Sequence, residues 1–251
     1  MEELLTVQGL ERRYGERLAV ADMDFRLART EVLGLLGTNG AGKSTCLQML
    51  SGNLAATAGE IRILGLDLTR RPLRAKRHIG YLPERPPLYA DMRVAEYLYF
   101  CAALHRVPAR ARASAVERAL ALCGLLDVAD RVLGRLSKGY RQRAGIAQAI
   151  VHAPDLVILD EPTDGLDPVQ IREVRDLIRG LSAECGIILS SHILPEVQAV
   201  CTRVMILREG RVLHQERLDA REDVPRAPRL RLRLESPPPP RDLQALTGVA
   251  A

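Results

Sequence analysis

Short apolar runs separated by glycine or polar residues recur along the chain and predict β-strands. Residues 156–159 form a bare apolar run, which is typical of a central strand covered on both faces, whereas residues 4–10 alternate only weakly. The predicted strands cover residues 4–10, 24–27, 32–36, 60–64, 78–82, 156–159 and 186–190, with a final pair about Gly210.

A helical pattern begins near Val94 and continues to about Ile150. Apolar residues there recur at the spacing of a helix face, as in Val94, Leu98 and Cys101, and Ala and Arg are abundant. This stretch predicts two to four helices, forming a helical subdomain at about 85–152. Because strands and helices alternate elsewhere, the pattern predicts an α/β fold with a mainly parallel sheet. Further helices are predicted at residues 44–50, 168–184 and 194–201.

Composition narrows the class of protein. The chain has 251 residues, of which 47% are hydrophobic and only 3% aromatic, so the core is aliphatic. The net charge is +5, with 36 basic and 31 acidic residues. The basic residues are scattered among acidic ones and form no long block with interleaved aromatics, so no specific nucleic-acid partner is expected.

Cysteines and apolar runs indicate the compartment. The five cysteines include no C-x-x-C pair, which fits a reducing environment better than a disulfide framework. No apolar run is long enough to cross a bilayer, and the N-terminus does not resemble a signal peptide. We therefore expect a soluble, cytoplasmic chain, with any membrane role exerted through a partner.

A glycine loop carries the strongest chemical signal. It follows the strand predicted at 32–36 and precedes a predicted helix, which is the setting in which G-x-x-x-x-G-K-[ST] binds phosphate. A chance glycine-rich turn is the alternative, but the chain has only three lysines to place there by accident. Lys43 is expected to reach the terminal phosphates and Ser44 to hold magnesium. The expected nucleotide-binding residues are Gly37, Thr38, Asn39, Gly40, Ala41, Gly42, Lys43, Ser44 and Thr45.

Two adjacent acids follow the apolar run at 156–159. Adjacent strand residues point to opposite sides, so Asp160 can face a metal ion while Glu161 faces an attacking water. An ordinary acidic turn before Pro162 is the alternative, which the phosphate loop makes less attractive. Earlier in the chain, Ser137 precedes a helical run and is the predicted N-cap of that helix. Its hydroxyl and the first free N–H groups are expected to form another anion site, and a plain helix cap is the alternative.

These motifs, in this order, resemble an ATP-binding cassette (ABC) transporter ATPase subunit over about residues 4–214. Gly37 to Ser44 is similar to the Walker A loop and residues 156–160 to the Walker B strand. Residues 136–140 resemble the LSGGQ signature loop, although Lys138 and Tyr140 depart from it, and residues 165–167 resemble the D-loop. The resemblance implies a P-loop NTPase fold of ABC type, with an N-terminal antiparallel β part beside the parallel core.

The resemblance also implies roles for single residues. Two nucleotide-binding domains would pair head to tail around two ATP molecules, so that Ser137 and Gly139 contact the γ-phosphate bound by the other chain. His192 would act with Glu161 in catalysis, Asp167 would lie at the nucleotide interface, and Tyr14 would stack on adenine. A structural tyrosine and a structural histidine are the alternatives at Tyr14 and His192.

One position departs from the family. The Q-loop usually supplies Gln where this chain has Glu84, which can still coordinate magnesium but adds a negative charge near the phosphates. This variant, followed by the apolar residues 86–89, resembles the ATPases of type-2 ABC exporters. Residues 86–89 lie near where such subunits receive the membrane partner, or they pack on their own domain.

The sequence therefore predicts a magnesium-dependent ATPase that dimerises on ATP and powers an exporter. Its expected partners are a second ABC ATPase subunit, identical or related, and transmembrane permease subunits that hold it at the inner face of the cell membrane. The alternatives are a soluble ABC ATPase acting on the ribosome or nucleic acid, and a regulatory nucleotide-binding partner with little catalysis. Both Glu161 and His192 argue against the last.

Domain boundaries are the final expectation. Residues 1–219 are expected to form the nucleotide-binding domain, and residues 220–251 a C-terminal extension. Residues 229–234 alternate like a half-buried strand and are followed by four prolines, which resembles the start of an accessory domain. The chain either ends naturally before such a domain is complete or has been truncated.

Overall fold

The computed structural model describes residues 3–218, and the expectations for residues 220–251 lie outside them. Within the described part, none of the helices combines the length and apolar character needed to cross a membrane. The strands are β1 (Glu3–Tyr14), β2 (Arg17–Ala28), β3 (Val32–Leu36), β4 (Ala58–Ile63), β5 (Leu66–Asp67), β6 (Ile79–Leu82), β7 (Leu156–Leu159), β8 (Gly186–Ser191), β9 (Arg203–Arg208) and β10 (Arg211–Arg217). The α-helices are α1 (Lys43–Leu50), α2 (Pro72–Ala75), α3 (Val94–Leu104), α4 (Ala109–Leu122), α5 (Lys138–Ile150), α6 (Pro168–Ser182) and α7 (Leu194–Val200).

Two sheets organise the chain, as predicted. The antiparallel sheet has the order β2-β1-β4-β5, and the second has the order β10-β9-β3-β8-β7-β6. In the second sheet every neighbouring pair is parallel except β9 and β10. The prediction of an α/β fold with a mainly parallel sheet and an N-terminal antiparallel part is confirmed.

The parallel sheet is covered on both faces, because alternate residues of its central strands enter different cores. In β7, Val157 and Leu159 belong to one apolar cluster, while Leu156 and Ile158 belong to the other. All four side chains are fully buried. A strand buried on both sides has no polar positions, which explains why this segment is a continuous apolar run.

The N-terminal hairpin is longer than its pattern predicts. Strands β1 and β2 run far beyond the segments predicted at 4–10 and 24–27, and a two-residue turn with Gly15 at a positive φ joins them. Register shifts interrupt their pairing, and Gly9 and Asp22 also have positive φ. Each bulge moves the following side chains to the opposite face, so the alternation disappears from the sequence.

Three α-helices, α3 to α5, lie between residues 94 and 150, which agrees with the predicted number. Helix α5 approaches β6 very closely: a Cβ placed on Gly80 would come within 2.0 Å of the Ala149 carbonyl oxygen. Glycine is therefore required where the helical block meets the sheet. Strand β5 and helix α2 were not predicted, because two and four residues are too few to show a period.

Sheet order brings four loops together. The carboxyl ends of parallel strands lie at one edge, and β3, β8, β7 and β6 are consecutive neighbours. The glycine loop follows β3, His192 follows β8, the acidic pair follows β7, and Glu84 comes two residues after β6. Residues far apart in sequence therefore meet at this edge.

Candidate functional site

A cavity of about 760 Å³ opens at this edge of the parallel sheet. Most of the residues predicted to bind nucleotide or metal line it. Further wall residues, which no motif indicated, come from β2, from the loop after β7 and from the turn between β9 and β10. The predicted residues in its wall are Tyr14, Thr38, Asn39, Gly40, Gly42, Lys43, Ser44, Thr45, Glu84, Glu161 and His192. The additional wall residues are Arg17, Leu18, Ala19, Asp164, Glu209 and Gly210.

The glycine loop is held in one backbone conformation at the start of α1. Gly42 has φ 102°, and a Cβ there would come within 2.6 Å of the Ala19 carbonyl oxygen, so only glycine fits. The buried Ala41 lies behind the wall, where its carbonyl accepts the Gly210 N–H at 3.0 Å. No side chain caps the first turn of α1. Its first N–H groups are therefore available to an anion.

Lys43 is buried, with 5% of its surface exposed. Its Nζ donates to the Gly37 carbonyl at 2.7 Å and lies 3.2 Å from Glu161 Oε1. Gly37 thus positions Lys43 through its carbonyl and does not itself line the cavity. A buried ammonium held by a carbonyl and one carboxylate oxygen can exchange that carboxylate for a more highly charged phosphate.

Asp160 lies beneath the cavity with only 2% of its surface exposed. Its Oδ1 accepts hydrogen bonds from Ser190 Oγ at 2.7 Å and Ser44 Oγ at 3.3 Å. Burial raises the pKa of this carboxyl, and the negative charges of Glu161 and Glu84 add to that rise, while the two serine hydrogen bonds oppose it. A nearby cation would therefore favour the carboxylate form.

The oxygen ligands at this position fit magnesium, which prefers hard oxygen donors. Ser44 and Asp160 are already in contact, and Glu84 lines the same cavity. No group of three or more His, Cys, Asp or Glu side chains within residues 3–218 is arranged to hold a metal ion by itself. A magnesium ion here would need additional oxygens from phosphate and water, which is its usual coordination in phosphoryl-transfer sites.

Glu161 is positioned between two basic groups. Its Oε1 faces Lys43 at 3.2 Å, and its Oε2 faces His192 Nδ1 at 3.1 Å. The residue has φ 47°, a left-handed conformation that is unfavourable for a residue with a Cβ atom. The two acids therefore diverge, with Asp160 directed to Ser44 and Glu161 to Lys43 and His192, but the cause is the left-handed Glu161 after the end of β7 and not the strand alternation that was predicted.

Tyr14 ends β1 at the rim of the cavity and is 46% exposed. The Arg12 guanidinium carbon lies 4.6 Å from the centre of the tyrosine ring, and Arg12 Nη1 is anchored to the Ala55 carbonyl at 2.8 Å. Arg12 thus supports the ring by a cation–π contact. The ring has the size and exposure to stack on a planar ligand.

Besides Gly37, Ala41 and Asp160, three further predicted residues do not line this cavity: Ser137, Gly139 and Asp167. Ser137 caps α5 and accepts the Tyr140 N–H at 3.4 Å, which matches the N-cap predicted for it. Asp167 caps α6 by accepting the N–H groups of Val169 and Gln170. A Cβ on Gly139 would come within 2.5 Å of the Gln170 side chain, so the starts of α5 and α6 lie against each other.

One buried residue of the site was missed. Ser190 contacts Asp160 through its hydroxyl, which also accepts the Glu161 N–H at 2.8 Å. The sequence contains two serines before His192, but nothing in that run shows which of them faces the acids.

Comparison with known proteins gives consistent matches. The family model described as ABC transporter matches residues 20–164. The chain is 37% identical to an uncharacterized ABC transporter ATP-binding protein, YxlF, of Bacillus subtilis, over 83% of this chain and 69% of that one. It is 36% identical to the bacitracin transport ATP-binding protein BcrA of Bacillus licheniformis, over 86% of this chain and 70% of that one. A solved ATP-binding subunit of an ABC transporter superposes with a TM-score of 0.77 at 32% identity, covering 86% of this chain and 90% of that one.

Proposed function

The chain belongs to the ABC transporter family of ATP-binding proteins, and from this premise we propose that it hydrolyses ATP with magnesium to power an exporter. The observation that carries the proposal is the position of Glu161 between Lys43 and His192, at 3.2 and 3.1 Å, beside a glycine loop of phosphate-binding type. An inactive nucleotide-binding partner would not need a carboxylate positioned between these groups.

The geometry supports a direct attack of water on the γ-phosphate. The loop N–H groups and Lys43 would bind the phosphates, while Glu161 would orient the water and accept its proton. His192 would donate to the γ-phosphate and keep Glu161 in place. Magnesium, held by Ser44 and Asp160 with Glu84 nearby, would neutralise developing charge on the phosphates. The bond from the γ-phosphorus to the leaving ADP oxygen would break.

We propose that Ser137, Gly139 and Asp167 serve the nucleotide of a second chain. They lie outside the cavity that contains Lys43, so they do not contribute to the site of their own chain. A head-to-tail pair would bring them to the partner's γ-phosphate. ATP would then hold two chains together, and hydrolysis would release them.

A mixing experiment tests this pairing. Lys43→Met and Ser137→Arg are each expected to abolish hydrolysis, whereas their mixture is expected to recover roughly a quarter of wild-type activity. Half of randomly formed dimers are mixed, and each mixed dimer has one intact composite site. Steady-state phosphate release measures the recovery. The activity of the wild-type protein by itself is the reference. If Ser137 acted on the nucleotide of its own chain, the mixture would remain inactive.

The proposal of an exporter rests on the similarity to the bacitracin transport protein BcrA and on an exposed aromatic surface. Tyr89 is 54% exposed and packs edge-on against Tyr97 and Phe100, with ring centres 6.0 and 5.7 Å away. Tyr97 also donates to the Pro87 carbonyl at 3.2 Å, so this loop is anchored to its own domain and still presents an apolar face. We propose that a permease binds there and holds the chain at the inner face of the membrane. The matches give no support to a ribosome- or nucleic-acid-bound ATPase.

Tyr14→Ala tests the proposed adenine contact. Loss of a stacking contact worth about 1 kcal/mol is expected to raise the KM for ATP about five- to ten-fold, with kcat within two-fold of wild type. Tyr14→Phe is the matched control, because it keeps the ring and is expected to keep the wild-type KM. A Tyr14→Ala enzyme with unchanged KM would show that the base binds elsewhere. Steady-state kinetics over a range of ATP concentrations provide the measurement.

A further inference from the structure

Ser190 connects the two acids of the site through one hydroxyl. It lies near the end of β8 and is fully buried. Its Oγ donates to Asp160 Oδ1 at 2.7 Å and accepts the backbone N–H of Glu161 at 2.8 Å. The hydroxyl therefore uses its only proton on the expected metal ligand and a lone pair on the expected catalytic residue.

These two hydrogen bonds hold a strained peptide. Glu161 has φ 47°, a conformation that costs about 1 kcal/mol and persists only when its surroundings enforce it. The Asp160 N–H is bound to the Leu82 carbonyl at 2.9 Å, and the Glu161 carbonyl accepts the Asp164 N–H at 3.2 Å. Ser190 binds the Glu161 N–H and so adds a backbone constraint at the residue where the two acidic side chains diverge.

The neighbouring serine has different partners. Ser191 Oγ donates to Glu196 Oε2 at 3.3 Å and accepts the Ile193 N–H at 3.0 Å. It therefore shapes the loop that follows β8 and contacts neither acid in the described hydrogen bonds. The adjacent serines thus have separate tasks, and only Ser190 contacts both Asp160 and Glu161.

We propose that Ser190 is a positioning residue for hydrolysis. It fixes one oxygen of Asp160, which leaves the other oxygen free for the metal shell, and it holds the turn that directs Glu161 toward Lys43 and His192. This inference rests on the proposed function, because it assigns Ser190 a part in that same reaction.

The first measurement is the kinetics of Ser190→Ala. Loss of a hydrogen bond to a charged group, together with release of the Glu161 turn, is expected to lower kcat about 10- to 100-fold, while the KM for ATP rises only about five-fold. Ser190→Thr keeps the hydroxyl and is expected to recover kcat to within about three-fold. Ser190→Cys keeps the size but donates weakly, so it is expected to remain at least ten-fold below wild type.

The second measurement is binding rather than turnover. Calorimetric titration with a non-hydrolysable ATP analogue is made once with magnesium and once with a chelator. In Ser190→Ala, the gain in affinity that magnesium confers is expected to shrink at least about five-fold, because Asp160 is no longer oriented. Affinity in the chelator is expected to remain within about two-fold of wild type, since the phosphate loop is unchanged. If Ser190 had a merely structural role, its loss would weaken ATP-analogue binding equally with magnesium and with the chelator.

Ser51→Ala is the matched control. Ser51 is also a buried serine, with 4% exposure, and its hydroxyl donates to the Gln48 carbonyl at 3.0 Å at the end of α1. Wild-type kinetics are expected for this variant. Equal loss of affinity in both binding arms, or a folded Ser190→Thr and Ser190→Cys pair with the same kcat, would overturn the inference. Wild-type protein without ATPase activity would overturn the proposed function, whereas an active wild type matched by Ser190→Ala overturns only the role of Ser190.

Discussion

Replacing Glu161 with Gln is expected to lower steady-state ATP hydrolysis at least about 100-fold while ATP binding is kept or strengthened. The amide retains the shape of the side chain and can still contact His192, but it cannot accept a proton from water. It also removes the negative charge that lies 3.2 Å from Lys43 Nζ, so the ammonium becomes fully available to the γ-phosphate. Binding and turnover should therefore separate in this variant.

The same variant is expected to accumulate as an ATP-bound dimer. Several charge-assisted hydrogen bonds at about 1.5–3 kcal/mol each could supply the roughly 5 kcal/mol needed to move the pair from mostly open to mostly closed. Size-exclusion chromatography with light scattering, with and without ATP, measures the dimer. Glu117→Gln, on the exposed side of α4, makes the same chemical change away from the site and should match wild type. Normal turnover in Glu161→Gln would show that another group activates the water.

The parts of the site that a sequence can predict are the contiguous ones. The glycine loop and the acidic pair were both found because their residues are neighbours in the chain and follow strands with clear apolar patterns. The two ends of the Asp160–Ser190 hydrogen bond are 30 residues apart and meet only because β7 and β8 are adjacent strands. No local pattern encodes such a contact.

The unpredicted residues in the cavity wall were missed for a similar reason. Ala19 and Gly210 reach the glycine loop through the long hairpin and the β9–β10 turn, and bulges hide the alternation of that hairpin. The support of Tyr14 by Arg12 needs only a regular strand, because residues two apart lie on the same face, but the strand was predicted to end at residue 10 and β1 continues to Tyr14. Short motifs predicted most of the residues that gather at this edge of the sheet, whereas the packing that positions them required the fold.

The charged groups of the site are paired with one another, and this pairing sets an order of events on binding. Lys43 is neutralised by Glu161, and Glu161 is shared with His192. Arrival of the phosphates would draw Lys43 away and leave Glu161 with His192 and the water. Glu161 would therefore be available to the water only when its substrate is present.

Lys43→Met is expected to weaken ATP binding at least about 30-fold and to reduce hydrolysis to the background rate. Methionine can follow the same buried path as the lysine stem, so the fold should persist, but the charge that would meet the β- and γ-phosphates is lost. Lys76→Met is the matched control, because Lys76 lies beside a different, smaller cavity and should leave binding unchanged. Calorimetry with ATP measures the affinity, and phosphate release measures turnover.

Lys43→Arg separates charge from geometry. Lys43 Nζ fits between the Gly37 carbonyl and Glu161, at 2.7 and 3.2 Å, and only 6% of the lysine side chain is exposed. The guanidinium group keeps the positive charge but is a larger planar fork, so it cannot occupy that position without displacing one of these partners. We therefore expect hydrolysis to fall at least about ten-fold despite the retained charge. Wild-type turnover in Lys43→Arg would mean that any cation near the phosphates suffices, and that the contacts to Gly37 and Glu161 have no part in catalysis.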